Sequence, residues 1–209
     1  MTANPWNEIF TERGRFFIEV HEDIARISTR LSRLNAVKVL DLGSGSGRHL
    51  VHFARLGFSV YGLDESREGT RLARHWLASE GLSADLQTGS MHDRLPYTDA
   101  LFDAVIAVQV IHHARLAAIR RLVGEMTRVL KPGGLVFVTV PALRNQASAF
   151  DEIEPGTFIP LDGPEKGLPH HYFSAGKLRE LFGAFDVDDI HVDAVQHLCL
   201  TGVKRSATR

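Results

Sequence analysis

Cysteine is almost absent from this 209-residue chain, with Cys199 the only one. No disulfide can form within it, and a reducing compartment is the expected setting. No apolar run reaches the ~18 residues of a membrane-spanning helix. The N-terminus lacks the basic-then-apolar order of a signal peptide. Together these lead us to expect a cytoplasmic protein without a membrane partner. Basic charge is not in excess either: 24 Lys and Arg face 25 Asp and Glu, for a net charge of −1. No global field draws in nucleic acid. Internal repeats and low-complexity tracts are also missing. What remains is ordinary for a globular chain, with 44% hydrophobic and 23% charged residues. The length suits one domain, 1–209.

One stretch organises the rest. Residues 37 to 42 (Val-Lys-Val-Leu-Asp-Leu) are a short apolar run that reads as a buried parallel strand. Gly43, Gly45 and Gly47 follow at alternate positions, and then Leu50, Val51, Phe53 and Ala54 at helical spacing. Strand, glycine loop and helix bring backbone N–H groups and a helix N-terminus to a polar ligand. A dinucleotide fingerprint, G-x-G-x-x-G, has its third glycine three after the second. Here it falls two after, and Asp41 stands two before the first. A pyrophosphate gains nothing from that carboxylate, whereas a ligand with a cationic amine does. S-adenosylmethionine (SAM) has such an amine, and a sulfonium. By itself the turn fits an ordinary tight βα connection equally well.

Further along, Phe17, Val20, Ile24, Ile27, Leu31 and Leu34 predict one amphipathic N-terminal helix after an irregular entry at Asn4-Pro5-Trp6. Phe58 to Leu63 predicts a second strand ending at Asp64, about 20 residues after the first glycine. That is where an acid accepts from ribose hydroxyls. A helix over 66–80, a weak strand over 84–88 and a loop over 89–97 come next. Phe102 to Gln109 is the most hydrophobic strand, hence central. A helix over 115–130 stops at Lys131-Pro132-Gly133-Gly134, before a strand over 135–140. Residues 141–173 show no period and read as a functional loop. A short helix capped by Ser174 and a terminal antiparallel hairpin close the chain, with Thr208 and Arg209 frayed. Strands alternating with helices predict a parallel α/β sheet.

Residues 39 to 47 resemble the first motif of class I SAM-dependent methyltransferases. Asp64, Leu95-Pro96-Tyr97, 102–105, 110–113 and 128–134 resemble later motifs in the same order. The likeness covers about 37–140 and is nearest to the small-molecule branch that includes the menaquinone and ubiquinone biosynthesis enzymes. It implies a Rossmann-like seven-stranded sheet, order 3-2-1-4-5-7-6, with the last strand antiparallel and helices on both faces. It also implies SAM as cofactor and a small-molecule acceptor. The regions expected are a cap helix (1–36), a SAM-binding core (37–140), a lid (141–173) and a C-terminal helix and hairpin (174–209). The cofactor residues expected are Asp41, Gly43, Ser44, Gly45, Gly47, Asp64, Glu65, Ser90, Met91, His92 and Gln109. Many relatives have Asp where Ser90 stands, and a hydroxyl is the weaker acceptor for an adenine amine.

Methyl transfer from a sulfonium is an in-line displacement that needs alignment and exclusion of water. A histidine base helps when the acceptor keeps a proton. His113, after the central strand, and His171, closing from the lid, are the candidates. Each is also readable as a packing residue. A metal shared by His112-His113 and His170-His171 is not expected, since adjacent histidines usually point apart. Asp151, Glu152 and Glu154 could supply carboxylates but read as a solvated face. Two rival functions stay open: a SAM-binding accessory protein without turnover, and an NAD-dependent oxidoreductase. The acceptor atom (N, O, S or C) and the oligomeric state are not read from the sequence.

Overall fold

A computed structural model describes residues 5–142 and 150–206. The central strand β1 (Lys38–Leu42) runs parallel to β2 (Ser59–Asp64) on one side and β4 (Phe102–Val108) on the other. Side chains alternate across a strand, and here the alternation sorts two apolar layers. Leu40, Leu42, Val105 and Ala107 pack with α5 (Leu116–Val129) and α6 (Ala175–Leu181). Val39, Ala104 and Ile106 pack with α2 (Ile24–Arg33) and α3 (Arg48–Arg55). Asp41 shares the parity of Val39, so its carboxylate is carried to the face of α2 and α3.

The large sheet has seven strands in the order β3 (Asp85–Thr88), β2, β1, β4, β5 (Leu130–Pro141), β10 (His197–Lys204), β9 (Phe185–Val192). Counted within this sheet the order is 3-2-1-4-5-7-6. β10 is antiparallel to both neighbours. The expected topology is therefore present. Ser66 caps α4 (Arg67–Ser79) by accepting from the Gly69 N–H, and Ser174 caps α6 by accepting from the Lys177 N–H.

Three expectations need correction. The entry at Pro5 is a helix, α1 (Pro5–Arg13), with proline at the first helical position where its missing N–H costs nothing. The predicted long helix from Phe17 onward shortens to α2. Residues 14–23 are diverted into polar contacts: the Arg48 guanidinium donates to the Glu19 carbonyl, the His21 N–H to His49, and His21 Nε2 meets Asp193. Phe17 and Ile18 are consequently exposed. The stretch 141–173 is not a plain loop. It holds a second antiparallel sheet of β6 (Phe150–Glu154), β7 (Thr157–Pro160) and β8 (His170–His171). The expectations for Asn4, for 143–149 and for Thr208 and Arg209 lie outside the described residues.

Asp193, at the β9–β10 turn, ties the diverted N-terminal segment to the hairpin. One carboxylate oxygen accepts from the Val195 and His197 N–H groups; the other faces His21 Nε2 and His197 Nδ1, each at 3.1 Å. Burial alone raises its pKa. The His197 N–H and the two rings outweigh that and leave it below the usual carboxylate range. Such a group stabilises the fold above its unfolded pKa, and the contribution is lost as pH falls through the folded value. We expect Asp193→Ala to cost about 1–3 kcal/mol, the range for stripping partners from buried donors. Urea unfolding at pH 7 measures it, and the difference from wild type should shrink toward pH 3.

Candidate functional site

In open α/β sheets ligands bind beyond the carboxyl ends of the strands, where the order reverses. The loops after β1, β2, β4 and β5 here line one cavity of about 630 Å³, within the usual range for small-molecule sites. α1 closes it from above with Trp6 and Phe10.

The glycine turn is built to be approached closely. Its Gly43 N–H donates to the Leu63 carbonyl at 2.7 Å, tying the end of β1 to β2. Gly43 has φ +71, and a Cβ there would lie 2.4 Å from a Val110 methyl. Gly45 has φ +51, and a Cβ there would meet the Phe10 ring at 3.0 Å. Only glycine satisfies both backbone and neighbours.

Two carboxylates flank this turn. Asp41 is 1% exposed, and its Oδ2 has no hydrogen-bond partner among the described residues. Its Oδ1 lies 3.8 Å from His49 Nδ1. The His21 N–H donates to His49 Nε2 at 3.3 Å, so a neutral ring carries its proton on Nδ1, toward Asp41. Burial depresses the His49 pKa despite that carboxylate, which keeps the ring neutral. Asp41 thus has an orphaned lone-pair face beside a site that can admit a cation. Asp64 accepts from the Gly45 N–H at 2.8 Å on one oxygen and from the Ser66 N–H at 2.7 Å on the other. Burial raises its pKa to about 6 against those two bonds, with Glu65 and Asp41 adding repulsion. Each oxygen retains acceptor capacity for a hydroxyl.

Gly43, Ser44, Gly45, Asp64, Glu65, Met91, His92 and Gln109 all line the cavity. Asp41 and Gly47 stand behind the lining. Ser90 is not part of the lining either, since its hydroxyl accepts from the His92 N–H at 3.2 Å in a local turn. Gln109 is a non-glycine residue at φ +59, and its side chain donates to the Thr139 hydroxyl at 2.8 Å. A strained residue held this way at a strand end is a mark of a ligand site.

His113 lines the cavity with its ring edge-on to Trp6 at 5.3 Å. Burial, and then His170, lower its pKa to about 4. His171 does not face the cavity, which corrects its place among the candidates. Its Nδ1 meets the Thr157 hydroxyl at 2.7 Å, and that hydroxyl donates to Glu154. Successive strand residues point oppositely, so His170 faces the cavity in its stead. The expectation that adjacent histidines point apart holds for His170 and His171 but fails for His112 and His113: His112, His113 and His170 gather with one ring nitrogen each within 4.8 Å. β4 has ended by residue 109, and the turn that follows lets both adjacent rings face one side. Glu154, expected on a solvated face, instead accepts from the Leu116 N–H at the start of α5 at 2.6 Å.

Sequence reasoning missed Arg48, Glu165, Leu168, Tyr172 and His197, which also line the cavity. Arg48 alone carried a signal, as the first residue of the helix after the glycines.

Comparison with known proteins agrees with the geometry. Residues 40–138 match the family model described as "Methyltransferase domain". The ubiquinone biosynthesis O-methyltransferase of Mus musculus mitochondria is 30% identical over 109 residues, 51% of this chain and 29% of that protein. The chain spans less than a third of that relative's length. A SAM-dependent methyltransferase from Methanosarcina mazei superposes with TM-score 0.71 at 23% identity, over 80% of this chain and 92% of that one. The Burkholderia thailandensis 1,6-didemethyltoxoflavin-N1-methyltransferase, solved with its substrate and S-adenosylhomocysteine, gives 0.69 at 18% identity, over 99% and 92%.

The close fit of Phe10 over Gly45 is testable. Gly45→Ala is expected to push α1 off the glycine turn while the sheet stays folded. Trypsin should then cut after Arg13 or Arg15 at least several-fold faster, with a thermal midpoint lowered by only a few degrees. An unchanged digestion rate would show that α1 is not seated on the turn.

Proposed function

We propose that this chain, which carries a class I SAM-dependent methyltransferase domain, moves a methyl group from SAM to a small-molecule acceptor. The observation that carries the reading is the pair of carboxylates, Asp41 and Asp64, on either side of a glycine turn that opens into the cavity. Asp41, with an unmet lone pair, suits the ammonium of the methionine tail. Arg48, beside it, suits the tail's carboxylate. Asp64 suits the ribose hydroxyls, with Glu65 next to it. Met91 and His92 flank the place for the purine, while Ser90 is left a backbone role. When bound, SAM supplies an activated methyl on a good leaving group.

The chain's own part is to hold, align and keep dry. Trp6 and Phe10 cover the cavity, and Pro141, Glu165, Leu168, His170 and Tyr172 supply wall from the segment read as a lid. His113 is a poor base in advance of reaction, because a pKa of about 4 leaves it little affinity for a proton. It can take a proton only from an acceptor made acidic by losing electron density to the incoming methyl. We place the protein in the cytoplasm, on the strength of its single buried Cys199. No helix among the described residues is long and apolar enough to cross a membrane.

Asp64→Ala is expected to weaken SAM binding at least about tenfold in isothermal titration, the loss of one or two hydrogen bonds to a charged acceptor, without unfolding. Unchanged affinity sinks the assignment. Asp64 also predicts a pH dependence. Its folded pKa lies above the unfolded value, so acidification through about 6 protonates it in the free protein. A proton competes with ribose hydroxyls for the carboxylate, so SAM affinity should fall below pH 6, by up to about tenfold per unit. Asp64→Asn should bind weakly with that slope removed.

A further inference from the structure

The end of the cavity away from the glycine turn holds an unusual group. The rings of His112 and His113 lie 3.9 Å apart, and that of His170 lies 5.6 and 4.8 Å from them. Glu165 borders this group on the His170 side, with its Oε2 3.0 Å from His170 Nε2. We propose that His112, His113 and His170, completed by Glu165, form a site for a divalent first-row transition metal ion, which grips an oxygen of the acceptor. That last clause rests on the methyltransferase reading; the metal site does not.

Imidazole and carboxylate together are the donor set of zinc, iron and their neighbours. His170 is already oriented as a ligand. Its Nδ1 faces the Leu168 carbonyl at 3.0 Å, the kind of outer bond that fixes a ring and presents Nε2 to a metal. Two ligand atoms at right angles on a metal, with bonds of about 2.1 Å, stand about 3 Å apart. His170 Nε2 and Glu165 Oε2 have that separation. On metal binding any proton on Nε2 leaves to solvent. His112 is 4% exposed, and its Nδ1 is buried without a hydrogen-bond partner. The ring therefore sits in the wall with a polar atom the protein leaves unmet.

The backbone holds the arrangement together. The His171 N–H donates to the His112 carbonyl at 2.9 Å, stitching β8 to the turn after β4. A metal at this position would share the cavity with the glycine turn. As a Lewis acid it would lower the pKa of a bound hydroxyl, phenol or enol, so that the acceptor loses its proton before the methyl arrives.

Among the described residues two other groups of potential ligands occur, His21 with Asp193 and Cys199, and Asp23 with His191 and Cys199. Their rings and carboxylates are already paired with one another, and both include a thiol. The thiol gives a spectroscopic control.

The test uses the full chain, stripped with chelator and titrated with Co(II) by absorbance and calorimetry. We expect one equivalent bound, with visible d–d bands and no thiolate charge-transfer band in the near ultraviolet. His113→Ala and His170→Ala should each weaken binding at least about tenfold, with thermal melts confirming that both fold. No binding by the folded wild type, unchanged binding in both variants, or a thiolate band would each overturn the proposal. SAM titration of the same metal-free protein separates the two readings. SAM bound without cobalt removes the metal site and leaves methyl transfer; cobalt bound without SAM does the converse.

Discussion

Two backbone N–H groups, from Gly45 and Ser66, converge on the carboxylate of Asp64, and most of the site depends on that convergence. The bond to Gly45 holds the turn after β1 against the end of β2. The bond to Ser66 sets the residue that caps α4. Partial burial charges for this arrangement by raising the Asp64 pKa to about 6, and the nearby Asp41 and Glu65 raise it further. Two acids are therefore held close in a partly dry place, one of them with an unmet oxygen. A cation entering beside Asp41 and hydroxyls at Asp64 would relieve both strains.

Much of this was legible in the chain itself. β1 is a core strand because Val39, Leu40 and Leu42 are apolar on both faces, and Asp41 stands out as the buried polar residue among them. The helix stop at Lys131 and the cap at Ser174 are local chemistry, and local chemistry is what a sequence displays. The N-terminal segment was misread for the opposite reason. Phe17 and Val20 keep helical spacing with Ile24, but their partners, Arg48, His49 and Asp193, lie far along the chain. Nothing local announces that His21 will prefer a carboxylate 172 residues away to another helical turn.

The insertion shows the same limit more sharply. Residues 150–173 look structureless because their sheet is short: β6 and β7 pair across a tight turn, and β8 is only two residues long. Glu154 looks like one of a run of solvated acids, yet it caps α5 and anchors Thr157, which in turn holds His171. That relay fixes which histidine of the pair turns inward. The sequence offers two adjacent rings; pleating against β7 decides that His171 becomes structural and His170 reaches the cavity.

The two halves of the cavity thus follow different physical rules. At the glycine-turn end the wall comes largely from one compact motif, and eight of the eleven residues expected there line the cavity, while Asp41, Gly47 and Ser90 do not. At the acceptor end the wall comes from α1, the turn after β4 and the insertion, which are contiguous only in the fold. Two of its rings are held neutral: burial, and then the neighbouring rings, put His112 well below its ordinary pKa and His113 at about 4. Neutral imidazoles in a dry wall are weak bases and good ligands. If the chemistry needs an acceptor stripped of its proton at neutral pH, these rings serve it better by binding an electrophile than by taking the proton themselves. If the acceptor arrives already nucleophilic, alignment alone suffices, and the cluster is a closely fitted wall.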